Sequence, residues 1–301
     1  MKKFFVVMIL LLTILLTGCG NSTVERSENL MGTVITLKAT GADTQAAVDE
    51  SFLAIDELIK NIFADVKKIE DASESGEFVE VSPDVYKILE TSQKFSKLTN
   101  GAFDVTCGAA IELWGFRDKN FRVPTPDELA DVKNFVGHEH LQLRDGKVRV
   151  DKRGVKINLG GVAKGYGVDI VRKIFAEHGI CDGLIDFGTS TIFAFGVKKI
   201  GIKNPRAENE LSAVVELENS ALSTSGDYEK FFVANGRRYC HIFNPKTCAP
   251  IEFKASSVTV VVDGSVELCA TVADILSTAA FVDRERVEKI LSQEKIPAKI
   301  F

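Results

Sequence analysis

The stretch INLGGVAKGYGVD, residues 157–169, places four glycines and one lysine between an apolar run and a helical pattern. It predicts a strand over residues 155–159, a tight glycine turn, and a helix from about residue 162 to 177 that Gly179 ends. Backbone N–H groups and the helix dipole at such a helix start attract anions. Taken alone, the stretch is neither a Walker loop nor a Rossmann fingerprint, and an ordinary tight turn is its commoner meaning.

Strand and helix patterns are mixed along the rest of the chain. Residues 33–41 alternate like a strand, and a helical pattern runs from Asp43 to about residue 67. Further strands are predicted at 78–82, 183–196 and 256–264 and through much of 197–251, a hairpin at 141–151, and helices at 83–99, 125–135 and 266–282. Because strands and helices do not alternate regularly, the order predicts an α+β fold rather than a doubly wound sheet.

The composition is that of an ordinary globular protein. Of 301 residues, 45% are hydrophobic and 26% are charged, and the length allows one large domain or two small ones with a substantial core. The formal net charge of −5 gives no support for binding to nucleic acid, and no nucleic-acid partner is expected.

The first residues resemble a bacterial lipoprotein signal. The positive head MKK precedes the apolar run FFVVMILLLTILL, which is short for a membrane span, and LTGC follows at residues 16–19. The resemblance implies a signal peptide over residues 1–18, lipidation of Cys19, a polar tether over 19–29 and a domain over 30–301. An uncleaved anchor helix is the alternative. Both predict an extracytoplasmic, membrane-anchored protein.

Two further groups of residues have chemistry of their own. Asp274 and Thr278 lie four residues apart on one predicted helix face, and their hard oxygens suit Mg²⁺. A plain Asp–Thr hydrogen bond is the commoner meaning of that spacing. His241 precedes the turn signal Asn244-Pro245, where it is either a general base or a structural histidine. His138 and His140 are expected to be solvated loop residues.

The cysteines beyond Cys19 are odd in number and include no Cys-x-x-Cys motif, so neither a zinc site nor a complete set of disulfides is indicated. A bridge between Cys240 and Cys248 is conceivable, but small buried thiols are the simpler expectation.

Six ordered stretches together resemble the ApbE-type flavin transferases, the FAD:protein FMN transferase family. They are MGTVITL, NGAFDVTCGAAIELWGF, INLGGVAKGYGVD, STSGDYEKFF, CHIFNPKT and SVTVVVDG…ADILSTAAFV, and they extend from about residue 30 to the end. The resemblance implies a single large α+β domain of the tunnelling type, with a mixed sheet and helix core. Members of the family are often lipoproteins.

The resemblance also implies an activity and its residues. FMN would pass from FAD to a threonine of an acceptor flavoprotein, either a redox subunit or a secreted FMN-binding domain, with Mg²⁺ required and AMP released. The implied catalytic base is His241, the metal ligands are the Gly161 carbonyl, Asp274 and Thr278, and the FAD contacts are Met31, Ala102, Phe103, Asp104, Asn158, Lys164 and Phe243. Mg²⁺ and a lysine suit the charge of a pyrophosphate.

This chain departs from the family pattern at several positions. The departures are Asn158 in place of an acidic residue, Asn244 and Cys248 in the His-Ile motif, Thr189-Ser190 in place of Gly-Gly-Asp or Gly-Gly-Asn, and a shortened loop near residues 71–76. They leave open an FAD pyrophosphatase, which would yield FMN and AMP, or a non-catalytic FAD-binding lipoprotein. Retention of the metal residues, the lysine and the histidine favours an active transferase.

Overall fold

The computed structural model describes residues 22–207, 209–252 and 256–301. The predicted signal peptide and Cys19 lie outside these residues. The helices described are α1 (Thr44–Ala72), α2 (Pro83–Leu98), α3 (Gly108–Leu113), α4 (Pro126–Val132), α5 (Ala163–Glu177), α6 (Cys269–Val282) and α7 (Arg284–Gln293). The strands described are β1 (Ser22–Leu30), β2 (Thr33–Gly41), β3 (Val79–Glu80), β4 (Leu141–Arg144), β5 (Lys147–Val150), β6 (Asp182–Phe187), β7 (Thr191–Lys203), β8 (Leu211–Gly226), β9 (Phe231–Ala234), β10 (Arg237–Cys240), β11 (Phe243–Asn244), β12 (Ala249–Pro250), β13 (Ser257–Asp263) and β14 (Ala298–Ile300).

One seven-stranded antiparallel sheet dominates the fold, in the order β1-β2-β6-β7-β8-β13-β14. Helices α1, α5 and α6 cover one face of it. Alternate residues of β13, such as Val258, Val260 and Val262, are fully buried in the main core, as the two-residue period of a strand requires. The predicted α+β fold is confirmed.

The outer part of the β7–β8 hairpin, beyond the irregularity that follows Ala194 on β7 and precedes Ser220 on β8, is here called the ribbon. It folds back over the second face of the sheet. The ladder between β7 and β8 is irregular near Gly196, where that glycine and Asn219 both have positive φ angles (68° and 45°). The tip of the ribbon therefore returns to the far end of β8, where Arg206 pairs with Asp227. An apolar cluster runs along the hairpin on both sides of this bend: Ala194, Ile202, Val215, Leu217 and Leu222.

Two predicted segments have a different structure. Residues 22–29 are not a polar tether, because they form most of β1, which pairs with β2 from Ser22↔Gly41 to Leu30↔Thr33. Polar side chains on both sides of β1 hide its period, as is common in edge strands. The segment 155–159 is not a strand, since only Lys156 forms an isolated bridge, with Cys107.

The histidines at 138 and 140 are not simply solvated. They lie in a 3-10 turn (His138–His140) and are about three-quarters buried as side chains. Nδ1 of His138 lies 3.8 Å from Asp104, and Nδ1 of His140 lies 2.9 Å from Asp151. Both rings therefore join the loop to neighbouring carboxylates.

The described cysteines are all free thiols, so the conceivable bridge between Cys240 and Cys248 is not formed. Cys181 is exposed and the other four are buried, in agreement with the simpler expectation. Burial raises the pKa of the Cys248 thiol to about 11. Within the part of the chain that is described, no helix is long and apolar enough to cross a membrane.

Candidate active site

Helices α5 and α6 are joined by two buried carboxylates, each of which binds the first turn of the other helix. Asp169 of α5 accepts hydrogen bonds from the Ala270 and Thr271 amides (3.1 and 2.8 Å) and from the Thr271 hydroxyl (2.6 Å). Asp274 of α6 accepts one from the Gly165 amide (3.0 Å). Neither helix has a side-chain cap from its own N-cap residue. The carboxylates satisfy amides that would otherwise lack partners and fix the two helices in register.

The two helices approach each other so closely because residue 165 is glycine. A Cβ atom there would lie 2.5 Å from the Ala270 carbonyl oxygen and 2.7 Å from Cα of Thr271. Any side chain would push α6 away from α5, and Asp274 would move with it. The glycine-rich stretch therefore determines where the second group of site residues lies.

Asp274 sits where α5, α6 and the sheet meet. Its second oxygen accepts a hydrogen bond from the Ser223 hydroxyl of β8 (3.1 Å). Burial raises the pKa of Asp274, while the charge of Lys164 and the hydrogen bonds from Gly165, Ser223 and Thr191 act in the opposite direction. The site thus holds a buried carboxylate that would gain from a nearby cation.

Thr278 lies one helical turn beyond Asp274, and its hydroxyl is 3.2 Å from that of Ser225. A Cβ atom on Gly161 would lie 3.2 Å from both the Thr278 hydroxyl and the ring of Phe103. The three predicted residues Gly161, Phe103 and Thr278 are therefore neighbours. Together with Asp274 they offer carboxylate, hydroxyl and carbonyl oxygens, the ligand types that Mg²⁺ prefers.

These donor types fit Mg²⁺, although within the described residues His, Cys, Asp and Glu side chains alone do not form a metal site. Across the ranges that the structure describes, no three of those side chains cluster as metal ligands would. A cation at this position would thus depend on hydroxyl and backbone oxygens beside one carboxylate. A hard, partly hydrated ion tolerates such a set better than zinc does.

Lys164 lies in the first turn of α5, where its positive charge opposes the helix dipole. Its ammonium group donates a hydrogen bond to the Ser190 hydroxyl in the turn between β6 and β7. Ser190 in turn donates to the Phe187 carbonyl (3.1 Å), and the Thr189 amide donates to Asp186 (2.6 Å). Ser190, in the Thr189-Ser190 departure from the family pattern, thus anchors Lys164 at the start of α5. An anion bound there would relieve the repulsion between the lysine charge and the helix dipole.

His241 follows β10 and is bound to the backbone of Lys230. Its amide donates to the Lys230 carbonyl (3.0 Å), and its Nδ1 lies 3.2 Å from the same oxygen. A carbonyl oxygen only accepts, so we assign the ring proton to Nδ1, which leaves the Nε2 lone pair free. Burial, then the charges of Lys230 and Lys164, lower the pKa of His241 to about 4. The ring is therefore neutral at neutral pH.

Asp104 and Asn158, two of the predicted FAD contacts, have side chains engaged within their own loops. Oδ1 of Asp104 accepts hydrogen bonds from the Thr106 amide and hydroxyl (2.8 and 2.7 Å), and burial raises its pKa. Asn158 is exposed, and its side-chain oxygen accepts from the Gly160 amide (2.9 Å). Because Asn158 uses only its oxygen in this bond, its side-chain NH2 group stays available to a ligand.

Met31, Ala102 and Phe243 complete the predicted set. Met31 occupies the turn between β1 and β2 with φ at 52°, and Ala102 is buried beside Phe103. The Phe243 ring is buried in an aromatic cluster. Two members of the cluster, Tyr239 and Phe243, lie two residues before and two residues after His241 in sequence. This cluster comprises Trp114, Phe116, Phe121, Phe232, Tyr239 and Phe243. The ligand-binding roles of all these residues stay predictions.

Several residues of the site were not singled out from the sequence. Ser223 and Ser225 are two apart in the STSG stretch, a spacing that places both on one face of a strand. Asp169 follows Gly165 by one helical turn, a spacing that places both on the same face of the predicted helix. Nothing local indicated Asp227, whose partners come from distant segments.

Fold and site define an α+β protein in which a helix start with a lysine adjoins a cluster of polar oxygen atoms around the buried Asp274 carboxylate. Residues 31–300 match the ApbE family, and the chain belongs to that family. It is 30% identical to an FAD:protein FMN transferase of Haemophilus influenzae, covering 89% of this chain and 83% of that protein. A protein of the same name from Vibrio cholerae is also 30% identical, over 94% of this chain and 89% of its own length.

Solved structures agree with this assignment. The ApbE protein of Thermotoga maritima superposes with a TM-score of 0.81 at 30% identity, with 93% of both chains covered. The flavin transferase ApbE of Vibrio cholerae gives a TM-score of 0.79 at 28% identity, again with 93% of each chain covered.

Proposed function

We propose that this protein transfers FMN from FAD to a threonine of an acceptor flavoprotein and releases AMP, with Mg²⁺ required. The observation that carries the proposal is the meeting of Lys164, Gly161, Asp274 and Thr278 where α5, α6 and the sheet join. It occurs in a chain of the ApbE family whose relatives are named FAD:protein FMN transferase.

The start of α5 would bind the pyrophosphate of FAD. Lys164 supplies a positive charge there, and the helix dipole adds to it. Gly161, Asp274 and Thr278 would hold Mg²⁺, which would supply neutralisation of the pyrophosphate charge when bound. The buried ring of Phe103 lies against Gly161 and forms one apolar side of this position.

In the transfer step, the acceptor threonine oxygen attacks the phosphorus of the FMN half of FAD. A new phosphorus–oxygen bond forms, the bond to the AMP phosphate breaks, and AMP leaves with the bonding electrons. His241 would take the hydroxyl proton on Nε2, since Nδ1 is occupied by the Lys230 carbonyl. An anionic substrate beside Lys164 would raise the low pKa of His241 and make it a stronger base.

We further propose that the protein acts outside the cytoplasmic membrane, as a bacterial lipoprotein anchored through lipid on Cys19. The support is the resemblance of residues 1–19 to a lipoprotein signal. Such an anchor would keep the enzyme at the membrane surface, within reach of acceptors on the same side.

The test is to incubate the purified full-length protein in detergent with FAD, Mg²⁺ and an acceptor domain that presents a threonine. Flavin fluorescence on the denatured acceptor, with an equal amount of AMP, supports the transferase. FMN and AMP without a labelled acceptor identify an FAD pyrophosphatase instead. Intact FAD throughout, with FAD bound, identifies a binding protein. An acceptor with the threonine replaced by valine serves as the control.

A further inference from the structure

Asp227 is a buried carboxylate to which none of the proposed chemical steps assigns a role. It follows β8 directly and has no exposed surface. It pairs with Arg206 at the tip of the ribbon, and Nη1 of Arg238 in β10 lies 3.9 Å from the same carboxylate oxygen. Its amide donates to the Ser256 carbonyl just before β13 (3.1 Å). Three distant segments therefore meet at Asp227, two of them at its carboxylate and one at its backbone amide.

The same carboxylate is linked through two short paths to His241. Along the chain, Asp227 opens the turn that ends at Lys230, whose carbonyl oxygen binds both the amide and the ring of His241. Across the hairpin, Arg238 lies three residues before His241 and its guanidinium covers the Phe231 ring at 4.1 Å. Both ends of the segment that holds the histidine are thus tied to Asp227.

We propose that Asp227 is a positioning residue for His241, and that it connects the ribbon to the reaction centre through Arg206 and Arg238. The inference rests on the proposed function, because it assigns to Asp227 the task of holding the base of that reaction. It also gives the ribbon a role beyond covering the sheet, since its tip would hold the turn before the histidine.

The physical argument is that a buried ion pair adds little to stability, whereas in some proteins it specifies one geometry. Removing water from the Asp227 carboxylate costs free energy that two partly exposed arginines only partly offset. The gain is a fixed direction for the turn of residues 227–230, and hence for the Lys230 carbonyl oxygen. A displacement of about 1 Å at a catalytic group costs roughly 100-fold in rate.

The test compares Asp227→Asn, Arg206→Ala and the double variant with a control, Lys199→Ala, on the exposed outer face of the ribbon. We expect Asp227→Asn to lower the single-turnover rate of FMN transfer by about 10- to 100-fold. The dissociation constant of FAD should change by less than about threefold, because the phosphate site on α5 is untouched. Arg206→Ala should act in the same direction, and the double variant should be no slower than Asp227→Asn.

A second measurement reads the histidine directly. In full-length protein with isotope-labelled histidine, the NMR titration of His241 should shift in Asp227→Asn and in Arg206→Ala but not in Lys199→Ala. This readout needs no acceptor, so it separates failure of this inference from failure of the proposed function. If Asp227→Asn does not fold, the exposed Arg206→Ala carries the test alone. Wild-type rates and an unchanged His241 titration in folded variants, with only a lower melting temperature, would overturn the inference.

Discussion

Asp274 is the side chain on which the hydrogen bonds of the site converge. It binds the Gly165 amide with one oxygen and the Ser223 hydroxyl with the other, so it serves the packing of α5 on α6 as well as the proposed cation. Its importance could be anticipated from its spacing to Thr278. Its bond to Gly165 could not, because that depends on how two helices distant in sequence approach.

Asp274→Ala should lower Mg²⁺-dependent turnover of FAD by at least about 100-fold, the scale on which loss of one charge-stabilising group slows an enzyme. Asp274→Asn is the matched variant, because it keeps the shape and an acceptor for the Gly165 amide while losing the charge. Turnover measured against Mg²⁺ concentration distinguishes loss of the charge that binds the metal from loss of the acceptor for the Gly165 amide. Undiminished activity in folded Asp274→Asn would contradict the role in metal binding.

His241→Ala should leave FAD binding almost unchanged and slow transfer by about 100- to 10,000-fold, the range for removal of a general base. Because the pKa of His241 in the free protein is about 4, its ring is deprotonated above that pH. For this group, kcat/KM should therefore be flat from weakly acidic to neutral pH and fall only near pH 4. A fall centred at the ordinary histidine value would contradict the lowered pKa of His241.

At the scale of elements, the pairing of α5 with α6 depends on the carboxylate of Asp169. Asp169→Ala removes the acceptor for the Ala270 amide and for the amide and hydroxyl of Thr271, and should lower the free energy of unfolding by about 3 kcal/mol. Thr271→Val removes only the hydroxyl and should cost about 1 kcal/mol. Urea denaturation measures both. Equal losses would mean that the helix-end amides find other partners.

His178 at the end of α5 joins that helix to the start of α1. Its ring nitrogens lie 2.8 Å from Glu50 and 2.6 Å from Asp43. These hydrogen bonds raise the pKa of His178 above the ordinary 6.5, and the bond to Glu50 contributes most. The stability gained from the charged ring is fully present below pH 6.5, and it is lost as pH rises through the raised pKa. The urea midpoint should therefore fall across that range in the wild type and fall less in His178→Gln. Parallel pH profiles would exclude the contribution.

Local sequence patterns predicted most of these elements but not their connections. The two-residue period identified β2 and the helical period identified α5 and α6, because each buries one face against the core. Polar side chains on both faces conceal the two-residue period of β1. The apolar run at 155–159 resembles a strand, although its only bridge is the isolated one between Lys156 and Cys107. Periodicity reports burial, and an edge strand and a buried loop are the two cases in which burial and strand structure separate.

At the scale of the whole molecule, the ribbon folds back until Arg206 reaches Asp227, and aromatic rings distant in sequence, such as those of Trp114 and Tyr239, pack together. Neither could be predicted from the sequence, since the bend needs only Gly196 and a positive φ at Asn219. The six ordered motifs named the family and most proposed site residues. The contacts of Asp227 and Asp169 with distant segments became visible only in three dimensions.

The ribbon and the aromatic cluster should unfold together with the sheet as one cooperative unit. Ile202→Ala in the buried apolar cluster of the ribbon should lower the free energy of unfolding by about 2 to 4 kcal/mol. Val214→Ala, whose side chain faces solvent, should change it by no more than about 0.5 kcal/mol.

Trp114, the single tryptophan, reports on the aromatic cluster, whereas far-ultraviolet circular dichroism reports on the helices and sheet. Because the ribbon tip, Asp227 and β10 are joined, both signals should shift together in Ile202→Ala, and a separate tryptophan transition would show that the cluster folds independently.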